Sequence, residues 1–281
     1  MPRFHEFQEI RKIIRFFFTT SLLLLFFFQK NTLAQPGVIT VGLQYKPLVP
    51  SKFFRAGEID FGENKINYSL SPKISFSGGM VIRRGFSKLF SLETGINYVK
   101  RNLELIVSNK DISFESKKKF SIVGYEVPTL GLIYIRLAEQ MYMNAAFGFS
   151  IDFFPSDVGT NEYYFGNDIQ VQQTSIRNHN RWVQPSLLAN LGYEYRTTKR
   201  GIFYFGSSFH RPFSYSYQTT VKYFSSNFEE KVSAGISGNY LTFDFRYFFH
   251  QDPKKKNEKK PEEKNLKYFE NLKKRAKDIK K

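Results

Sequence analysis

The stretch Met143-Asn144-Ala145-Ala146-Phe147-Gly148-Phe149-Ser150-Ile151-Asp152-Phe153 decides the fold. Apolar residues hold the odd positions, while Asn144, Ala146, Gly148, Ser150 and Asp152 hold the even ones. A period of two sends these sets to opposite faces of a strand, whereas a helical period would mix them. Leu241, Phe243, Phe245, Tyr247 and Phe249 repeat the pattern against Thr242, Asp244, Arg246 and Phe248. Ile74, Phe76, Gly78, Met80 and Ile82 do so against Ser75, Ser77, Gly79, Val81 and Arg83. Similar alternation runs through 38–46, 89–101, 183–196 and 202–217. Residues 120–135 also read as strand, but Pro128 and Gly131 leave their facing open.

Working outward, the connections alternate in length. Long polar ones fall at 49–70, 107–118, 156–180 and 224–231, and short ones at 85–88, 136–140 and 197–201. Four long loops and three short turns join eight strands, with both ends on the short-turn side. Bacterial transmembrane barrels combine an even strand count with short periplasmic turns and longer external loops. A soluble barrel of lipocalin type is the rival, since its strands alternate too. Volume decides between them. Residues 35–250 contain forty Phe, Tyr and Trp, and an eight-stranded interior is only just wide enough for its side chains. Stripes such as Phe147-Phe149-Ile151-Phe153 would overfill it, so they belong outside against hydrocarbon. The expected fold is all-β: an eight-stranded antiparallel up-and-down transmembrane β-barrel over 35–250.

The flanks carry different chemistry. Arg3, Arg11, Lys12 and Arg15 precede the apolar run Phe16–Phe28, and Thr32-Leu33-Ala34 offers small residues at a cleavage site. That order is a secretory signal peptide over 1–34, and thirteen apolar residues are short for a retained anchor. Residues 251–281 form a Lys-rich tail with a thin apolar seam of Leu266, Phe269, Leu272, Ala276 and Ile279 at helix-like spacing. One reading is a solvated, partly helical tail; the sharper one is contact with anionic lipid headgroups or a periplasmic partner. Both mature termini are expected in the periplasm, with the protein in the outer membrane.

The net charge of +17 is unevenly placed. The leader holds +3 and the tail +7, which leaves +7 on the segment between them. No nucleic-acid-binding motif accompanies that remainder, so a nucleic-acid partner is not expected. With no cysteine in the chain, disulfides, thiolate metal sites and Cys nucleophiles are excluded.

Four segments carry a family resemblance: Gly42-Leu43-Gln44-Tyr45-Lys46-Pro47, Ser91-Leu92-Glu93-Thr94-Gly95, Tyr125-Glu126-Val127-Pro128 and Phe243-Asp244-Phe245-Arg246-Tyr247-Phe248. Over 37–250 the chain resembles the small PorT-like outer membrane β-barrel proteins of Bacteroidota. The resemblance implies an outer-membrane barrel and, for members similar to PorT itself, a link to type IX secretion and gliding. The long basic tail departs from that pattern.

Alternation also assigns the candidate site. Arg83, Glu93, Asp152, Glu194, Arg196, Asp244 and Arg246 fall on the expected inner face, with Glu126 less surely placed. They are expected to form an ion-pair network filling the barrel, because buried charges require partners. A pore lining is the alternative. Tyr45, Trp182, Tyr193, Tyr195, Tyr215, Tyr217 and Tyr247 lie near strand ends and are expected at the two membrane interfaces. His179 and His210 have neighbouring Asp or Ser residues but no spacing that assembles a catalytic site. No metal, cofactor or catalytic residue is expected. The expected role is structural, binding or accessory within an envelope complex, with outer-membrane lipid as a partner. A narrow conduit for ions or small solutes comes second, and a loop-borne hydrolase third.

Overall fold

The computed structural model describes residues 38–50, 57–62, 65–87, 89–164, 168–178, 181–226 and 228–250. The expected signal peptide, the tail and His179 lie outside them. The described residues form fourteen strands: β1 (Ile39–Val49), β2 (Ile59–Phe61), β3 (Ile66–Pro72), β4 (Ser75–Gly85), β5 (Phe90–Asn109), β6 (Phe114–Arg136), β7 (Met141–Phe153), β8 (Val158–Tyr164), β9 (Ile169–Arg177), β10 (Val183–Arg196), β11 (Ile202–Pro212), β12 (Tyr215–Ser225), β13 (Phe228–Ser237) and β14 (Tyr240–Phe248). Among the described residues, no helix is long and apolar enough to cross a membrane.

Eight strands pair around a ring in the order β5-β4-β1-β14-β11-β10-β7-β6, and β6 returns to β5. Every pairing is antiparallel. The expected total of eight strands is therefore too small. Four of the additional six, β2, β3, β8 and β9, come from segments expected to be loops, while β12 and β13 occupy 215–237, of which only 224–231 was expected to be a loop. β2 and β3 fold from 49–70, and β3 pairs with the upper part of β5 (Leu103–Asn109). β8, β9, β12 and β13 make a separate four-stranded sheet above the ring. The expected loop at 107–118 is strand over 107–109 and 114–118, turning within 110–113, where Ser113 adopts φ +50°. These segments read as loops because Ser, Thr, Asn and Gln dominate their outward positions.

Polarity inverts along the wall, and this organises the molecule. At the end bearing the short turns, here called lower, each ring strand exposes apolar side chains. Leu43, Ile82, Ile96, Ile133, Phe147, Leu191, Phe205 and Phe245, one from each strand, are 40–60% exposed. Their neighbours Gln44, Arg83, Asn97, Tyr134, Gly148, Asn190, Tyr204 and Asp244 face inward. Above the ring the same alternation is reversed. Leu103, Leu105, Val107, Phe114, Phe120 and Ile122 pack inward against Ile169, Val171, Tyr217, Val221, Tyr223 and Ile236 of the opposite sheet. Outward lie Lys117, Lys119, Gln170, Gln172, Gln218 and Thr220. Two sheets face to face exclude water from their inner surfaces, which therefore select apolar residues.

The structure also decides how 120–135 faces. Even-numbered residues from Glu126 to Tyr134 point inward. Pro128 lacks an N–H, and the β5–β6 ladder is interrupted between Thr94/Thr129 and Asn97/Glu126. The Pro128 carbonyl instead accepts the Thr94 hydroxyl at 2.8 Å. Gly192 and Gly206 flank the Tyr204 hydroxyl so closely that a Cβ on either would collide with it. Their small size makes room for this tyrosine across the interior.

Candidate functional site

Inward alternation on eight strands converges the ionisable residues in the ring. In the lower tier, Arg83 on β4 donates to Glu93 on β5 (3.0 and 3.1 Å) and to Glu194 on β10 (2.7 Å). β4 and β10 stand four places apart around the eight-membered ring, so the second pair spans its full width. Arg246 donates to Asp244 at 2.6 Å and also pairs with Glu93. Arg196 pairs with Glu194 at 2.6 Å, and the Lys46 ammonium lies 3.6 Å from Asp244. Aromatic faces cover the guanidiniums: Phe248 lies 4.0 Å from Arg83, Tyr142 4.1 Å from Arg196 and Tyr204 4.6 Å from Arg246. A neutral layer follows. Asn190 and Ser208 donate to Asp244 at 3.1 and 2.5 Å, and the Thr242 hydroxyl donates at 2.6 Å.

The upper tier gathers Glu126, Asp152 and His210. The His210 Nε2 lies 3.0 Å from Asp152 and 3.7 Å from Glu126, and its Nδ1 lies 3.3 Å from the Gly238 carbonyl. Ser150 donates to Asp152 at 2.7 Å, Ser186 donates to the same carboxylate, and the Tyr240 hydroxyl donates to Glu126. Tyr240 stacks on the imidazole with centroids 4.4 Å apart. Arg101 completes the tier, anchored to the Ser237 carbonyl at 2.7 Å. A cavity of about 20 Å³, room for one water, separates these groups from Ile122 and Phe154 in the apolar cap.

All eight residues expected in the network face the interior, Arg196 at its mouth. Sequence reasoning left out Lys46, Arg101, His210, Tyr204 and Tyr240. Parity could have found the first: Leu43 and Tyr45 face out, so Gln44 and Lys46 face in. Among the described residues the interior contains five cations (Lys46, Arg83, Arg101, Arg196, Arg246) and five carboxylates (Glu93, Glu126, Asp152, Glu194, Asp244). The interior is not purely polar as expected, since Tyr134, Tyr142, Tyr204 and Phe248 also fill it.

One imidazole and two carboxylates, with ligand atoms within 4.8 Å of one another, are residue types that hold metals. Charge decides against that fit. Both ring nitrogens of His210 face acceptors, while among the described residues the five cations of the interior already offset its five carboxylates. A divalent ion would add two positive charges to that balanced, buried interior.

Outside the ring, Tyr45, Trp182, Tyr193, Tyr195 and Tyr215 are exposed, and Tyr247 is half-buried on the outer face. Tyr217 is a correction: it is fully buried, and its hydroxyl donates to the Ser156 carbonyl at 2.9 Å. A bulge between Tyr215 and Tyr217 shifts the register, so odd residues face in beyond it. Tyr98 and Tyr125, absent from the expected interface set, also face outward near the top of the apolar wall, beside Phe76 and Phe153 of the expected apolar stripes. His210, 2% exposed, turns away from Ser207 and is sealed beneath the cap.

No family model matches the chain, and no curated protein matches it either. Among solved structures it is similar to the β domain of the Bordetella autotransporter BrkA, at 8% identity and TM-score 0.31, over 76% of this chain and 99% of that one. It is also similar to the outer membrane protease OmpT from Escherichia coli, at 8% identity and TM-score 0.29, over 76% and 94%. Likenesses this distant say nothing of activity.

Proposed function

We propose that the protein is an outer-membrane β-barrel whose eight-stranded wall crosses the bilayer, with a structural or binding role and no catalytic one. The inversion of polarity along continuous strands carries the reading. An apolar outer face around a charged interior is unfavourable in water and favourable in hydrocarbon. An eleven-residue strand such as β1, tilted by about 40°, rises ~28 Å, close to the ~25 Å apolar band of such barrels. In this orientation the upper sheets lie outside the cell, and the short turns and both mature termini lie in the periplasm. The leader expected at 1–34 supplies export. The crossing ion pairs and the apolar cap favour a filled barrel over a conduit. The PorT-like resemblance adds an accessory role beside secretion or gliding machinery, with the basic tail as the periplasmic contact.

Refolding into vesicles tests this. Trp182, the sole tryptophan, sits at the upper edge of the apolar wall, where brominated acyl chains should quench its fluorescence. In planar bilayers the refolded protein should pass no steady current. Absence of quenching together with a water-soluble monomer would overturn the membrane assignment; steady conductance would favour the conduit.

A further inference from the structure

One patch of the outer face stacks aromatic, cationic and hydrogen-bonding side chains in order of height. Tyr45, Phe76, Tyr98 and Tyr125 form a row of rings across four adjacent strands, with centroids 6.3, 6.1 and 5.9 Å apart. Lys100 is one outward position above Tyr98 on β5 and registers with Phe76. Two residues of tilted strand rise ~5 Å, which places Lys100 at headgroup level if the ring row marks the hydrocarbon edge. Asn102 follows, donating to the Ile74 carbonyl at 2.8 Å and accepting from Ser121 at 2.7 Å. Lys73 and Lys119 then converge on Glu104 at 2.5 and 3.8 Å. Two lysines thus pair with one carboxylate. The hydrogen bond from Lys73, with the charges of Lys73, Lys119 and Lys117, holds the Glu104 carboxyl below its usual range.

This wall is also the continuous one. β5 and β6, of 20 and 23 residues, pass from the apolar belt into the upper sheet without a break. On the other side β11 yields to β12 across Phe213-Ser214, and β9 to β10 across 178–182. A ligand lying along β5 and β6 therefore meets apolar wall, aromatic row and lysines in succession.

We infer that this patch docks a phosphorylated glycolipid of the outer leaflet, with acyl chains on the apolar wall and phosphates on Lys73, Lys100 and Lys119. The inference rests on the outer-membrane reading above. A free anion would engage the lysines alone; the adjoining exposed aromatic row and apolar wall fit a lipid. Lysine ammoniums bind phosphate oxygens as point charges, while Asn102 and Ser121 offer hydrogen bonds to sugar hydroxyls.

The test uses the full mature chain refolded in detergent, with bisphosphorylated lipid A, dephosphorylated lipid A and inorganic phosphate as probes. Insertion is scored separately, by protease protection in vesicles, so a failed barrel is distinguished from a failed patch. The wild type should bind bisphosphorylated lipid A at least tenfold tighter than the dephosphorylated form. The triple variant K73Q/K100Q/K119Q should lose that preference, K222Q/K231Q on the opposite sheet should keep it, and E104Q should bind severalfold tighter. Equal binding of the two lipids, or a triple variant within twofold of wild type, would overturn the inference. Displacement by inorganic phosphate at concentrations matching the lipid would reduce the patch to an anion site and overturn the lipid assignment.

Discussion

Replacing Arg83 with Met tests whether the ion pairs close the barrel or line a passage. Arg83 is 4% exposed, and its guanidinium joins Glu93 on the neighbouring strand at 3.0 Å and Glu194 across the ring at 2.7 Å. Breaking a buried pair by removing one partner costs about 3–5 kcal/mol, because the other charge stays desolvated. Here Glu194 retains Arg196 and Glu93 retains Arg246, so the lower figure applies. About 3 kcal/mol is a factor of about 150 in the unfolding equilibrium. The assay is reversible urea unfolding of the vesicle-refolded protein, followed by Trp182 fluorescence. Adding Glu194→Gln removes one of the two carboxylates that Arg83 balanced and leaves Arg196 at the water-facing mouth, so the double variant should recover part of the loss in a double-mutant cycle. A single variant within 1 kcal/mol of wild type, with no recovery in the double, would refute the reasoning: the groups would be hydrated and the interior open.

Other expectations follow from the same geometry. Phe245→Arg, outward near mid-wall, should destabilise the vesicle-inserted state by about 2–4 kcal/mol, while Gln172→Arg on the upper sheet should leave insertion within about 0.5 kcal/mol of wild type; equal effects would erase the inferred membrane boundary. Leu105→Ala, fully buried between the upper sheets, should cost about 2–5 kcal/mol and raise hydrogen exchange in β3, β5 and β9; exchange unchanged there would show that the two sheets do not share a core. Acid should loosen the upper sheets. The Arg177 backbone N–H and guanidinium hold Asp157 below its usual range, and hydrogen bonds from Tyr163 and Ser226 do so for Asp168. Burial works to raise Glu162, but Lys118 and Tyr164 outweigh it. Depressed carboxylates stabilise the fold above their unfolded values near pH 4, and that contribution is lost as pH falls through the folded ones. Exchange protection in β8 and β9, corrected for intrinsic rates, should therefore fall between about pH 5 and pH 2.5; undiminished protection would contradict the assignment.

Strand existence, and the facing of seven of the ring strands, were legible in residues 38–250 because a period of two is local: Phe147 and Ser150 declare their faces without reference to any partner. The same parity placed Arg83, Glu93, Asp152, Glu194, Asp244 and Arg246 inside. Which of them meet is not local. Arg83 reaches Glu194 only because ring closure brings β10 opposite β4, a separation of 111 residues along the chain. His210 showed only a histidine among serines; its carboxylate partners come from β6 and β7, brought beside it by the same closure. Tyr217 was misplaced because a bulge changes parity without changing composition. β2, β3, β8 and β9 were read as loops because Gln, Thr and Ser form strands when a partner sheet buries the residues between them, and no single strand contains that partner. Alternation determined what each strand turns inward, and only the closed and capped ring decided which charges neutralise one another.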